Sequence, residues 1–159
     1  MGDIIDFGRL EDLKKVVGAK RIVLAGGCFD ILHFGHHTFL TSAKSHGDIL
    51  AVALESDEFI RMRKHKKPVH TQSQRAEILA SLNYVDYVIK LPLLKGYLGY
   101  MDFVRRLKPA IIAVSDGDTQ LENKQKQALE VGAAVKIVCP QLKQFSSSMI
   151  VDYASFFGD

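Results

Sequence analysis

Arg21-Ile22-Val23-Leu24-Ala25-Gly26-Gly27-Cys28-Phe29-Asp30-Ile31-Leu32-His33-Phe34-Gly35-His36 is the segment on which the architecture turns. It opens with an apolar β-rich run at 21–24 that shows no polar alternation, as expected of a strand covered on both faces and parallel to its neighbours. Gly26 and Gly27 follow where that strand should stop, and they let the backbone turn sharply and approach a ligand closely. In an open parallel sheet, ligands bind beyond the carboxyl ends of the strands. His33 and His36 stand three apart at the start of a helix, so their rings can converge on the volume reached by the free N–H groups of its first turn. Such a place attracts anions. Gly35, between the histidines, leaves out a side chain that would otherwise fill that volume.

Working outward, four further Val- and Ile-rich runs at Ile49–Leu54, 84–90, 110–114 and 135–138 read as strands. Helical spacing fills the intervals at 39–43, 57–62, 74–82, 101–107 and Leu121–Val131. Strand and helix alternate, so the class is α/β: a single Rossmann-like domain, residues 1–159, with a five-stranded, mainly parallel sheet flanked by helices. Local punctuation agrees. Thr71 with Gln74 forms a capping box, Gly132 stands where the helix before it should be C-capped, and Pro109 ends a helix ahead of a strand. Residues 1–20 read as an N-terminal helical extension whose face of Leu10, Leu13, Val16 and Val17 serves packing, with a homodimer contact as the alternative. Pro92, Gly96 and Gly99 mark 91–99 as a mobile loop.

Composition narrows the classes. The chain has 159 residues, 47% hydrophobic and 25% charged, which suits one globular domain and argues against disorder. No apolar run approaches the ~18 residues of a membrane span, and the N-terminus lacks the basic start of a targeting signal. A soluble, cytoplasmic protein with no membrane partner is the expectation. Cys28 and Cys139 are too few and too far apart for a disulfide framework or a paired-cysteine metal site. The net charge of +3 does not demand nucleic acid, yet five of the seven residues from Arg61 to Lys67 are basic. That run reads either as a solvated or nucleic-acid-facing patch or as a phosphate-facing loop. No aromatic platform accompanies it, so the loop is favoured and nucleic acid is not an expected partner.

Neither dinucleotide fingerprint nor P-loop is present, because the glycine spacing each requires is missing. His33, His36 and adjacent His37 lack the Cys or carboxylate that would complete a metal site, and no residue is assigned to metal. What remains is the whole spaced pattern from Gly27 to His36, which resembles the G-x-F-D-x-x-H-x-G-H signature of the cytidylyltransferase-like nucleotidyltransferases. Similarity extends through 42–48, 75–79, 85–88 and 146–148. Within that family it most resembles the heptose-phosphate adenylyltransferase domain, with glycerol-phosphate cytidylyltransferases and archaeal-type FAD synthetases close behind.

The resemblance implies that an acceptor's phosphate oxygen attacks the α-phosphorus of ATP or CTP and that pyrophosphate leaves. Sugar phosphates are the leading acceptor class, with glycerol phosphate or FMN as alternatives, and the 91–100 loop, with Tyr97 and Tyr100, is a candidate for selecting among them. A nucleotide-binding regulatory module is the reading without catalysis. The resemblance makes His33, His36 and Lys64 catalytic, the lysine lying in the loop after the Ile49–Leu54 strand. It places Gly26, Gly27, Cys28, Phe29 and Gly35 at the nucleotide, and Ser147 and Ser148 on its β- and γ-phosphates from a helix N-terminus. Lys67 matches a basic residue of the same loop as Lys64. Asp30 fits the motif either as an acceptor contact or as a loop-holding group, and Arg75 either supports the nucleotide site or pairs with a carboxylate such as Glu77. Magnesium is expected with the triphosphate, held mainly by phosphates and water. The sequence departs from the family pattern at Ser115-Asp116-Gly117-Asp118, where relatives carry a Lys-Gly-Gly-Asp-like run, and at Lys143 and Gln144, where many carry arginine. Asp118 therefore enters as an acceptor or support residue.

Overall fold

A computed structural model describes residues 1–140 and 149–150. The chain runs β1 (Asp3–Asp6), a 3₁₀ turn (Phe7–Arg9), α1 (Leu10–Val17), β2 (Ile22–Gly27), α2 (Phe34–Lys44), β3 (Ile49–Leu54), α3 (Asp57–Lys64), α4 (Gln72–Ala80), β4 (Tyr87–Lys90), α5 (Gly96–Leu107), β5 (Ile111–Ser115), α6 (Leu121–Val131) and β6 (Ala134–Cys139). The strands form one sheet in the order β1-β4-β3-β2-β5-β6, with every pairing parallel. The α/β, Rossmann-like reading holds.

Six strands replace the five expected. The addition is β1, whose residues pair with β4 from Asp3↔Tyr87 to Asp6↔Lys90. It is four residues long and starts and ends on aspartate, as suits a short, charged edge strand. The N-terminal segment is therefore part of the sheet and not only a helical extension. Gly2 is fixed by close approach, because a Cβ there would lie 2.5 Å from the Val85 carbonyl oxygen. In α1, Leu10, Leu13 and Val17 are buried as expected, but Val16 faces outward.

Alternation along β2 explains why its run carries no polar beat. Val23 and Ala25 enter one core with Leu40, Leu50, Val52, Leu79 and Val88. Ile22 and Leu24 enter the other with Leu10, Leu13, Ile89, Phe103 and Leu107. Successive strand residues point to opposite faces, and here both faces are roofed by helices. The expected 91–99 loop is shorter, because α5 already begins at Gly96 and buries Met101, Phe103, Val104 and Leu107. Apolar spacing outweighs the helix cost of Gly96 and Gly99. The capping box at Thr71 and Gln74 is formed, and Gly132 caps α6 in the left-handed region.

Candidate active site

Chain order places the site. From β2 the chain winds outward through β3 and β4, then crosses back to lay β5 and β6 on the other side of β2. The carboxyl end of β2 is therefore the switch point where crevices open in such sheets. The ladders make this concrete. β2 stays paired with β3 as far as Gly27↔Leu54, but its pairing with β5 covers only Val23↔Ile111 and Leu24↔Ile112. Beyond Leu24 the sheet splits, leaving the glycine-bearing end of β2 open on its β5 side.

Local geometry beyond β2 is tightly determined. Phe29 has a φ of 46°, a left-handed conformation that non-glycine residues rarely adopt. Its ring lies where a side chain on Gly27 would project, 2.9 Å from the position of a Cβ. The same ring contacts His36, with centroids 5.0 Å apart, and His36 stacks on His33 at 3.7 Å and 20°. His33 is the N-cap of α2, and its Nδ1 accepts a hydrogen bond from the His36 backbone N–H at 3.4 Å. With Nδ1 as acceptor, the proton of neutral His33 belongs on Nε2. Burial holds both imidazoles below their usual range. His36 is pushed down to about 4, by burial first and then by the charges of His33 and Lys64. At neutral pH the two rings are uncharged N–H donors.

Two cavities meet here. A cavity of about 230 Å³ is lined by Gly26, Gly27, Phe29, His33, Gly35, His36, Phe39, Ser115, Asp118, Lys124, Cys139 and Pro140. A second, of about 480 Å³, has aliphatic walls including Leu24, Leu91, Val104 and Ile112, aromatic groups Phe59, Tyr97, Tyr100 and Phe103, and polar Glu55, Arg63, Asn123 and Gln127. Gly26, Gly27 and Lys124 line both. Since the glycines have no side chain, Lys124 supplies the shared cation among the described residues.

The structure thus gathers Gly26, Gly27, Phe29, His33, Gly35, His36 and Asp118 around the first cavity and puts Cys28 on the second. Lys64 is exposed and closes α3, so it belongs to a helix end and not to a loop. Its charge nevertheless acts on both Cys28 and His36. The basic run also has a structural cause, because Arg61, Arg63 and Lys64 fill the last turn of α3, where cations complement the helix dipole. Lys67 is exposed and lines neither cavity.

Asp30 is buried away from the cavities, accepting from the backbone N–H of Val69 and of His70 at 2.9–3.1 Å. It holds the approach to α4. Arg75, fully buried, donates to the carbonyls of Cys28 and His70 and to Asp57 Oδ1 at 2.7 Å. Its carboxylate partner is Asp57 and not Glu77, since residues two apart on a helix do not face each other. Asp118 pairs with Lys124 at 2.7 Å. His37 turns to the Tyr84 hydroxyl, outside the pair formed by His33 and His36. Both cysteines are free, and burial raises both thiols. Ser147, Ser148, Lys143 and Gln144 lie outside the described residues. Among the described residues no three His, Cys, Asp or Glu side chains are grouped to hold a metal, and no helix is long and apolar enough to cross a membrane.

Glu55 and Lys124 were not legible as site residues, whereas Tyr97 and Tyr100 line the second cavity. Glu55 directly follows the apolar β3, and its carboxyl is raised by burial against the lowering effect of a hydrogen bond from the Tyr100 hydroxyl, 2.7 Å to Oε1. A lone carboxylate closing an otherwise apolar parallel strand was the one available signal. Lys124 had none, because its place at Gly26 is created by the β2/β5 neighbourhood.

Comparison with known proteins matches residues 24–152 to the family model described as cytidylyltransferase-like. The FAD synthase of Pyrococcus horikoshii is 38% identical over 118 residues, 73% of this chain and 77% of that protein. The bifunctional protein HldE of Aliarcobacter butzleri is 37% identical over 120 residues, 75% of this chain but 24% of that longer protein. A solved lipopolysaccharide core biosynthesis protein from Thermoplasma volcanium superposes with a TM-score of 0.64 at 31% identity, covering 77% of this chain and 98% of the other.

Proposed function

Because the chain belongs to the cytidylyltransferase-like family of nucleotidyltransferases, we propose that it moves a nucleoside monophosphate from ATP or CTP to a phosphorylated small molecule. An acceptor phosphate oxygen forms a bond to the α-phosphorus, the bond from that phosphorus to the β-phosphate bridge breaks, and pyrophosphate carries away the electron pair. The attacking oxygen is already anionic at neutral pH, so no protein nucleophile or general base is required. Catalysis consists of holding two polyanions together and stabilising the charge that spreads over the transferring group.

The observation that carries this reading is the pair of cavities meeting at Gly26, Gly27 and Lys124. The triphosphate is assigned to the first, against the N–H groups of His33 and His36 and the start of α2. The acceptor is assigned to the second, and the reacting atoms to the junction. In the unliganded protein the imidazoles are neutral donors, while Lys64 and Lys124 supply positive charge. Ser147 and Ser148 complete the assignment as β- and γ-phosphate ligands. Magnesium enters with the triphosphate, carried on its phosphates and water.

A sugar phosphate is the acceptor class implied by the sequence resemblance. Flavin mononucleotide, an alternative that the sequence resemblance also implies, is the second reading, supported by the similarity to an FAD synthase and favoured by the volume and aromatic lining of the second cavity. Pyrophosphate release, measured with magnesium, each nucleoside triphosphate and a panel of phosphorylated acceptors, tests the assignment. Release with one pair is expected, and His36→Ala should lower that turnover roughly 10²–10³-fold. Nucleotide binding without release from any pair would favour a regulatory module instead.

A further inference from the structure

The second cavity contains an imbalance that phosphate chemistry does not explain. Glu55 is only 8% exposed, yet it lines the cavity. Its Oε1 is engaged by Tyr100, whereas Oε2 is buried and has no hydrogen-bond partner among the described residues. A buried carboxylate oxygen left without a donor is costly, so such a group calls for a partner. A phosphate cannot be that partner, since two anions repel. The cations lining the same cavity, Arg63 and Lys124, suit the acceptor's phosphate instead. What Oε2 can take is an N–H or O–H donor, and since Arg63 and Lys124 already line the cavity, an uncharged one completes it without adding a third cation.

We infer that Glu55, oriented by Tyr100, reads a neutral hydrogen-bond donor on the body of the acceptor, and that the acceptor is a ring-bearing phosphate ester carrying such a group. The inference rests on the nucleotidyl-transfer reading for calling the ligand an acceptor. Its recognition chemistry rests on the cavity alone. The ring is argued from the walls: four aromatic side chains and a set of aliphatic ones enclose about 480 Å³, a lining that a small acyclic acceptor such as glycerol phosphate would leave unmatched. Glutamate is the informative choice because an ionised carboxylate only accepts. A site built this way discriminates strongly against an analogue lacking the donor, because its own buried oxygen is then stranded.

The test is equilibrium titration of the full chain with flavin mononucleotide, followed by its own fluorescence, and with glucose 1-phosphate, followed by calorimetry. Each is compared with a donor-deleted analogue: N3-methyl flavin mononucleotide, or the singly deoxygenated sugar phosphates. Wild-type protein should prefer the parent compound at least tenfold, an arm that needs no variant to fold. Glu55→Gln can keep its bond to Tyr100 while presenting N–H to the cavity. It should weaken binding of the parent at least tenfold, lose the preference over the analogue, and bind ATP within about twofold of wild type. Equal affinity of wild type for parent and analogue overturns the inference, as does unchanged parent binding by the variant, which would mean that water satisfies Oε2. Failure of every phosphorylated probe to bind overturns it too. Pyrophosphate release is scored separately, so its failure would sink the nucleotidyl-transfer reading while leaving the donor-recognition result to stand or fall on the binding ratios.

Discussion

His36 carries two properties that belong to one ring: a place beside the first cavity and a pKa pushed down to about 4. Unfolded, the imidazole titrates near 6.5. As pH falls from about 6.5 to 4 the unfolded chain takes up a proton that the folded chain refuses, so folding stability drops, by on the order of 3 kcal/mol across that window. His33, also lowered, adds in the same direction. Denaturant melts between pH 7 and 4.5 should show the loss, and His36→Gln should flatten it. An unchanged slope in the variant would contradict the burial argument. Activity should likewise not fall as pH rises from 6 to 8, as it would if a charged histidine were required. Arg75 makes a different prediction. Its buried guanidinium joins the Cys28 carbonyl, the His70 carbonyl and Asp57, so Arg75→Met strands three acceptors and should cost about 3 kcal/mol. That corresponds to a melting temperature lower by roughly 10 °C. Arg75→Lys should recover little of it, lacking the planar fork.

Among the elements, α6 contributes what the β5 loop lacks. The 115–118 turn after β5 carries no cation, and Lys124, in the first turns of α6, reaches the cavities while paired with Asp118. If Lys124 binds phosphate, Lys124→Met should weaken ATP or CTP binding about tenfold, the scale of one charge-assisted hydrogen bond. Asp118→Asn should leave binding as tight or tighter, because it frees the ammonium and keeps the acceptor for the Gln120 backbone N–H. A purely structural ion pair predicts the same melting loss in both variants and no change in binding for either. The contrast also shows what sequence can and cannot convey. Local devices were readable: the Thr71–Gln74 box, the glycine end of β2, and the His33–His36 pair whose spacing brings the rings together. β1 was missed because four residues framed by aspartates carry too little pattern, and its pairing with β4 joins segments far apart in the chain. Glu55, Lys124 and the Asp57 partner of Arg75 were missed for the same reason, since strand order rather than spacing creates their neighbourhoods.

For the molecule as a whole, both-face burial of the central strands made the parallel α/β architecture legible, and the reversal of strand order at β2 fixes where chemistry is assigned. That reversal also divides the sheet unequally. The unit of β5, α6 and β6 joins the rest of the sheet through a ladder of two residue pairs, whereas β2 and β3 share six. A seam so short invites breathing, with the Ile111–Ser115 and Ala134–Cys139 amides opening to solvent more readily than those of Ile49–Leu54. A nucleotide gripped by α2 on one bank and Lys124 on the other would suture the seam. Deuterium uptake across β5 and β6 should slow when ATP or CTP is added while β3 stays as it was, making the unbound enzyme a book held by a narrow spine and its own substrate the clasp.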